Sequence, residues 1–305
     1  MHLLEGVTVP VVTTLDTDLA PDPEATYPLL DALADAGITR LMFLGTNGEG
    51  ALLNPHHSGD YLIKAIAHWR DVVGPEATAT ATAFGAGTRE TINRARIFAD
   101  AGPDAIVVAP PYYFVHPHYE LFRHYAALAD LRLPIIAYNA PKYTGNAITT
   151  ELLSSLANLE HIIGIKDSGG DDALIGHALT LRAKRPGFGV SQGNERRMAW
   201  ALREGADGIT PGLGNLAPAA CSALATAVRD GDDATADRLQ AELIDLMKIH
   251  QHRGGVAAMK AALHTRGLST LQVSAPLQMY REEEVVLVQH VLDAWPGQLL
   301  TPRSR

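Results

Sequence analysis

The strongest constraint on this 305-residue chain is a beat repeated eight times: a short apolar run, then an amphipathic segment with helical spacing. Residues 7–13, 40–44, 77–83, 105–109, 134–137, 162–166, 187–191 and 208–210 read as strands. The intervening helices are expected over 23–36, 88–100, 118–129, 149–157, 172–184, 197–204 and 216–230, with a further long one opened by the cap Asn54 and by Pro55. Strands joined through helices must run parallel, and eight such units predict an α/β fold, a closed (β/α)8 TIM barrel. Beyond residue 230 the strands stop. Helices over 233–249, 256–264 and 282–294 predict a C-terminal helical extension, so the chain divides into a barrel at 1–230 and an extension at 231–305. No Pro/Gly/Ser-rich linker separates them, and the extension is expected to pack on the barrel.

Composition removes several classes of function. With 47% hydrophobic and 19% charged residues the chain can bury a large core. A formal charge of −9 without a basic cluster argues against nucleic acid or an anionic membrane surface as partner. Cys221 is the only cysteine, which excludes an intramolecular disulfide framework or a cysteine metal cluster. The first residues lack a basic stretch followed by an apolar one, and no apolar run approaches the ~20 residues of a membrane span. A cytoplasmic protein acting on small molecules is expected.

In a barrel, the loops after the strand C-termini gather at one mouth, where active sites form. The chemically capable residues fall there: Thr46 and Asn47 after the second strand, Tyr112 and Tyr113 after the fourth, Tyr138 at the fifth, and Gly193, Asn194 and Glu195 after the seventh. Lys166 is the most pointed of them. It ends the buried run Ile162-Ile163-Gly164-Ile165 and is followed by Asp167-Ser168-Gly169-Gly170. An amine walled off from water has its charged form disfavoured and becomes a nucleophile toward carbonyl carbon. The bland alternative is a lysine paired with Asp167, but side chains alternate along a strand, so Asp167 should face the other way.

Other candidates carry less. His116, His118 and His124 lie close in sequence but lack the carboxylates to complete a metal sphere. Gly45 to Gly50 has glycines in the wrong order for a nucleotide loop, with no following Lys-Ser/Thr pair. His250 and His252 are placed on a solvated helix end, and Glu282-Glu283-Glu284 at a helix N-terminus, where carboxylates suit the dipole.

Gly45-Thr46-Asn47-Gly48-Glu49, Tyr138-Asn139-Ala140-Pro141, Gly164-Ile165-Lys166-Asp167-Ser168 and Gly205-Ala206-Asp207-Gly208 through Asn215, with their spacing, resemble the signatures of the dihydrodipicolinate synthase and N-acetylneuraminate lyase family. The resemblance runs from residue 6 to about residue 268. It implies Schiff-base-forming barrel aldolases that need no metal or organic cofactor. Lys166 then matches the lysine that condenses with pyruvate or a similar 2-oxo acid, and Tyr138 the proton-shuttling tyrosine. Thr46 matches the hydroxyl linking that tyrosine to a second one, matched best by Tyr113 and supplied in many members by a neighbouring subunit. The Thr46-Asn47 turn matches the carboxylate-binding residues. A homo-oligomer, dimer or tetramer, is thereby implied.

This sequence also departs from the family pattern. Dihydrodipicolinate synthases carry an arginine for the aldehyde's carboxylate where Tyr143 stands here, and Asn47 replaces the usual second hydroxyl. Ser168, Glu195, Arg196 and Thr210 occupy loop or strand-end positions that face the aldehyde portion in sugar-acid-cleaving members, and Gly193 is counted with them among the substrate-binding residues. The expectation is a class I aldolase or lyase joining or splitting pyruvate and an aldehyde, acting on a 2-oxo-3-deoxy sugar acid or a 4-hydroxy-2-oxo acid. Alternatives are a dehydratase using the same Schiff base, a dihydrodipicolinate synthase, and a pyruvate-binding regulatory barrel without turnover.

Overall fold

The computed structural model describes residues 2–303. Eight strands, β1 (Gly6–Val7), β2 (Arg40–Phe43), β3 (Thr78–Ala83), β4 (Ala105–Val108), β5 (Ile135–Asn139), β6 (Ile162–Asp167), β7 (Gly189–Gln192) and β8 (Gly208–Ile209), form one sheet. Neighbours follow chain order from β2 to β8, β8 pairs with β1 in parallel, and a bridge from Val9 to Leu41 closes the ring. This is the expected (β/α)8 barrel.

The first strand is shorter than the expected 7–13. Regular pairing ends at Val7, after which Val9 and Val11 still donate to the carbonyls of Arg40 and Met42 at 3.0 and 3.1 Å. Pro10 lies between them. It has no N–H to give the ladder, so the segment continues along β2 as an irregular extended stretch.

Alternation along the strands separates two apolar layers. In β3, Ala79, Ala81 and Ala83 are fully buried against the helical shell, while Thr80 turns inward and its hydroxyl donates to the Leu41 carbonyl at 3.3 Å. Leu4, Met42, Ala105, Val107, Ile136 and Tyr138 fill the interior below the mouth. The helices form where caps and periodicity place them. Asn54 caps Pro55–Val73 by accepting from the His56 N–H at 2.9 Å, and Leu62, Ile66 and Trp69 form its buried side. The helix Asp172–Lys184 has the expected bounds.

Register positions the site. Tyr138, Lys166 and Ser191 are direct neighbours across β5, β6 and β7. Ile165 and Asp167 on either side of Lys166 face away from the interior, as period-2 alternation requires. A short helix, Pro141–Thr144, follows β5 and was not expected from the sequence; proline supplies its first residue and left-handed Gly145 ends it.

The extension comprises the helices Asp233–Leu246, Val256–Thr265 and Glu282–Ala294, the last with the expected bounds. Residues 256–263 are all buried, so the middle helix is enclosed on every side. Gln240 donates to the Glu195 carbonyl at 2.7 Å, and the N–H of Leu300, beyond the last helix, to the Leu216 carbonyl at 2.7 Å, which ties the extension to the segments after β7 and β8. Among the described residues no helix is long and apolar enough to cross a membrane.

Candidate active site

A cavity of about 660 Å³ opens at the C-terminal ends of the strands. Lys166 and Tyr138 lie at its floor, both almost fully buried. Adjacent register places their backbones side by side, and the Lys166 Nζ lies over the phenol ring, 3.9 Å from its centroid. The Thr46 hydroxyl is 3.3 Å from the Tyr138 hydroxyl. Burial opposes ionisation of this phenol, but the Lys166 charge, with hydrogen bonds from Thr46 and Ser168, outweighs it and holds the pKa below the ordinary tyrosine value.

Asp167 does not pair with Lys166. Its carboxylate, fully buried behind the site, accepts from the Asn139 amide at 2.7 Å and from the Gly169 and Gly170 N–H groups at 3.0 and 3.3 Å. Burial nevertheless leaves its pKa above the usual aspartate value. Asn139 in turn accepts from the Ile148 N–H at 2.9 Å. The loops after β5 and β6 are thus fastened to one buried carboxylate. The alternation rule placed Asp167 on the far side of the strand, but this fastening was not read from the sequence.

Gly193 allows the lysine its place. Its N–H donates to the Asp167 carbonyl at 2.5 Å, and a Cβ there would lie 2.3 Å from the Ser168 hydroxyl and 2.8 Å from the Lys166 Cε. Thr210 is buried with its hydroxyl 2.7 Å from that of Ser191. The Glu195 carboxylate accepts from the Leu213 N–H at 2.7 Å. Burial pushes its pKa up, against that backbone bond and the Lys166 charge. Asn47 reaches toward Gly212, whose added Cβ would fall 2.6 Å from the Asn47 amide nitrogen. Arg196 and Tyr143 are exposed at the rim.

Thr46, Asn47, Tyr138, Tyr143, Lys166, Ser168, Gly193, Glu195, Arg196 and Thr210 therefore line one cavity. Tyr113 does not join them. It is 84% exposed in the loop after β4, with a left-handed φ of 85° and its ring edge-on to Phe114. For a tyrosine that backbone conformation is costly.

The sequence reading missed the upper wall. Met247, His250, Gly254, Gly255 and Met259 of the extension line the cavity, as does Lys142. His250 is thus not on a solvated helix end: burial, reinforced by the charge of Lys142, lowers its pKa. The only local signal is the spacing of Met247 and His250, which puts them one helical turn apart on one face. His252 is exposed and pairs with Glu284, which caps the helix Glu282–Ala294. His116 pairs with Glu120 and His124 with Thr88, and among the described residues no group of three His, Cys, Asp or Glu could hold a metal.

A buried amine, a hydroxyl beside it whose pKa is lowered and a turn with a hydroxyl and an amide make an arrangement suited to carbonyl condensation. Residues 3–294 match the model of the dihydrodipicolinate synthetase family. The chain is 33% identical to the 4-hydroxy-tetrahydrodipicolinate synthase of Corynebacterium aurimucosum, over 94% of this chain and 93% of that one. It is 34% identical to the putative 2-dehydro-3-deoxy-D-gluconate aldolase YagE of Escherichia coli, over 82% of each. The crystal structure of YagE in complex with pyruvate superimposes with a TM-score of 0.84 at 29% identity, covering 95% of this chain and 97% of that one.

Proposed function

The chain belongs to the dihydrodipicolinate synthetase family, and from that premise we propose that it is a pyruvate-dependent class I aldolase with Lys166 as its Schiff-base residue. The observation that carries this reading is the alignment of the Lys166 amine over Tyr138, with the Thr46 hydroxyl at the phenol.

The unprotonated amine adds to C2 of pyruvate, and the carbinolamine loses water to give a protonated Schiff base. Tyr138 donates and recovers the protons of these steps. In the cleavage direction the same phenolate takes the proton from the C4 hydroxyl of a bound 4-hydroxy-2-oxo acid. The C3–C4 bond breaks, its electrons pass into the iminium to leave an enamine, and the aldehyde departs. Protonation at C3 and hydrolysis return pyruvate and free Lys166. The Thr46-Asn47 turn holds the 2-oxo acid carboxylate, so the reacting carbon sits within reach of the amine.

The lining around the reacting pair supports a hydroxylated substrate. Ser168, Glu195 and Thr210 offer a mixed set of donors and acceptors there. A 2-oxo-3-deoxy sugar acid or another 4-hydroxy-2-oxo acid is the substrate class we assign. A dihydrodipicolinate synthase is the second reading: Lys142 and Arg196, which both line the cavity, offer positive charge to an aldehyde's carboxylate although Tyr143 replaces the expected arginine. The strained, exposed Tyr113 supports a homo-oligomer, in which it reaches a neighbour's Thr46.

Borohydride reduction in the presence of pyruvate tests the core of this reading. A covalent adduct on Lys166 is expected, absent from Lys166→Ala. A pyruvate-release panel of sugar acids, 4-hydroxy-2-oxo acids and aspartate semialdehyde with pyruvate then separates the two substrate classes. Adduct formation without turnover across that panel would instead mark a regulatory barrel.

A further inference from the structure

The Thr46-Asn47 turn is fixed from behind by a residue of the extension. Two residues past the turn, Glu49 has a left-handed φ of 55°, and Leu44 on the other side has one of 54°. The loop between is wound so tightly that a Cβ on Gly50 would lie 1.9 Å from the Leu44 carbonyl oxygen. Six residues, Leu44 to Glu49, with two strained backbones need something to hold them, because such conformations persist only where their surroundings over-determine them.

The Glu49 carboxylate supplies the hold. It points away from the cavity, wholly buried, and forms an ion pair with Lys260, whose side chain is equally inaccessible at 0%. Its second oxygen accepts from the Ser274 N–H at 2.6 Å, and the Lys260 ammonium also donates to the Gln272 carbonyl at 2.6 Å. Burial lowers the Lys260 pKa and the Glu49 charge opposes that. More than 200 residues of chain separate the partners, as they do Glu49 and Ser274. A buried pair of this kind is weak evidence of stability, since a well-packed apolar pair often does as well. What an apolar pair would lack is direction: the carboxylate fixes Glu49 at two points, and the backbone from Thr46 to Glu49 follows, with the Glu49 N–H bonded to the Thr46 carbonyl at 3.2 Å. Next to Lys260, Met259 reaches the cavity wall, so one helix touches the site on one side and its turn from behind on the other.

The geometry points to Lys260 as a positioning residue for the 2-oxo acid carboxylate, acting through Glu49 on the donors of the Thr46-Asn47 turn. This rests on the reading that the turn holds that carboxylate. The extension is then part of the binding apparatus as well as a cover.

The test compares Lys260→Met, Glu49→Gln and the double variant in the pyruvate-borohydride assay, with unfolding midpoints measured alongside. We expect the pyruvate concentration for half-maximal trapping to rise about tenfold or more in Lys260→Met and the double variant, as a misplaced binding group would cause. Trapping should still reach completion at saturation, and the KM of the aldehyde partner should move less than about twofold on the same reasoning. Glu49→Gln keeps one acceptor oxygen, enough for Lys260 or for Ser274 but not for both, and should show a smaller rise of the same kind, which preserves the test if the other variants do not fold. Lower unfolding midpoints with unchanged half-saturation in the folded variants would overturn the proposal. Absence of any adduct in the unmodified protein would instead defeat the Schiff-base reading itself.

Discussion

Lys166 and Tyr138 are backbone neighbours on adjacent strands, and the amine lies 3.9 Å from the centre of the phenol ring. The amine therefore sets the electrostatics of the phenol. Burial alone would raise the phenol's pKa; the neighbouring charge and its hydrogen bonds bring it below the ordinary value of 10.0.

Removing the charge should reverse that balance. In Lys166→Met the Tyr138 pKa is expected to rise above its level in the unmodified protein, because burial remains and the largest opposing influence is gone. An ultraviolet difference titration of the two proteins reads this as a tyrosinate signal displaced to higher pH. Tyr138→Phe should keep the fold and lose turnover by about 100-fold or more, the range of a general acid-base group. With Tyr138 intact, the rate of cleavage should rise with pH until the depressed pKa is passed, and that rise should vanish in Tyr138→Phe.

Gly193→Ala probes the space the lysine needs. Its new Cβ would fall 2.8 Å from the Lys166 Cε and 2.3 Å from the Ser168 hydroxyl. Ser168 can rotate, but Lys166 must move off its position above Tyr138. Overpacking of this kind costs roughly 1–3 kcal/mol. The measurement is borohydride trapping at saturating pyruvate, where the variant should react more slowly while its unfolding transition remains cooperative. An unchanged trapping rate would show that the amine's position is not critical.

Asn139→Ala should destabilise in a pH-dependent way. The change removes one donor from the buried Asp167 carboxylate and leaves the Ile148 N–H without its acceptor, about 1–3 kcal/mol for an unsatisfied buried group. Burial already holds the Asp167 pKa above 3.8, and losing Asn139 raises it further. An acid whose native pKa exceeds its unfolded one is penalised only when ionised, so the penalty is absent below the unfolded pKa and complete above the native one. Chemical denaturation should show the largest loss at neutral pH and partial recovery on acidification toward pH 4. A loss independent of pH would assign the whole effect to Ile148.

The parts of this molecule that were legible in the sequence are those governed by neighbours in the chain. Asp172–Lys184 and Glu282–Ala294 have the bounds that capping and periodicity require, and the strand-end rule together with the family resemblance named ten residues that line one cavity. Asp167 faced away from Lys166 for the same reason, the period of two along β6. What escaped depends on distance in sequence. Glu49 and Lys260 looked like a motif residue and a helix residue, with nothing local to join them. His250 looked solvated because only the folded extension brings it over the mouth. Pro10 could have shortened the first strand in advance, since its missing donor is visible without any structure. Tyr113 lies outside the cavity of its own chain, and its strained φ and its exposure mark it as unusual.

The register of β6 also limits how this enzyme can change over evolutionary time. Inserting or deleting one residue inside the strand would leave its composition almost unaltered, yet would exchange the faces of Lys166 and Asp167. The amine would be driven into the helical shell and the carboxylate into the barrel. Drift in length is therefore confined to the loops beyond the strand ends, where Tyr143 and Arg196 stand. New substrates can be tried there, one rim residue at a time, around a lysine that cannot shift.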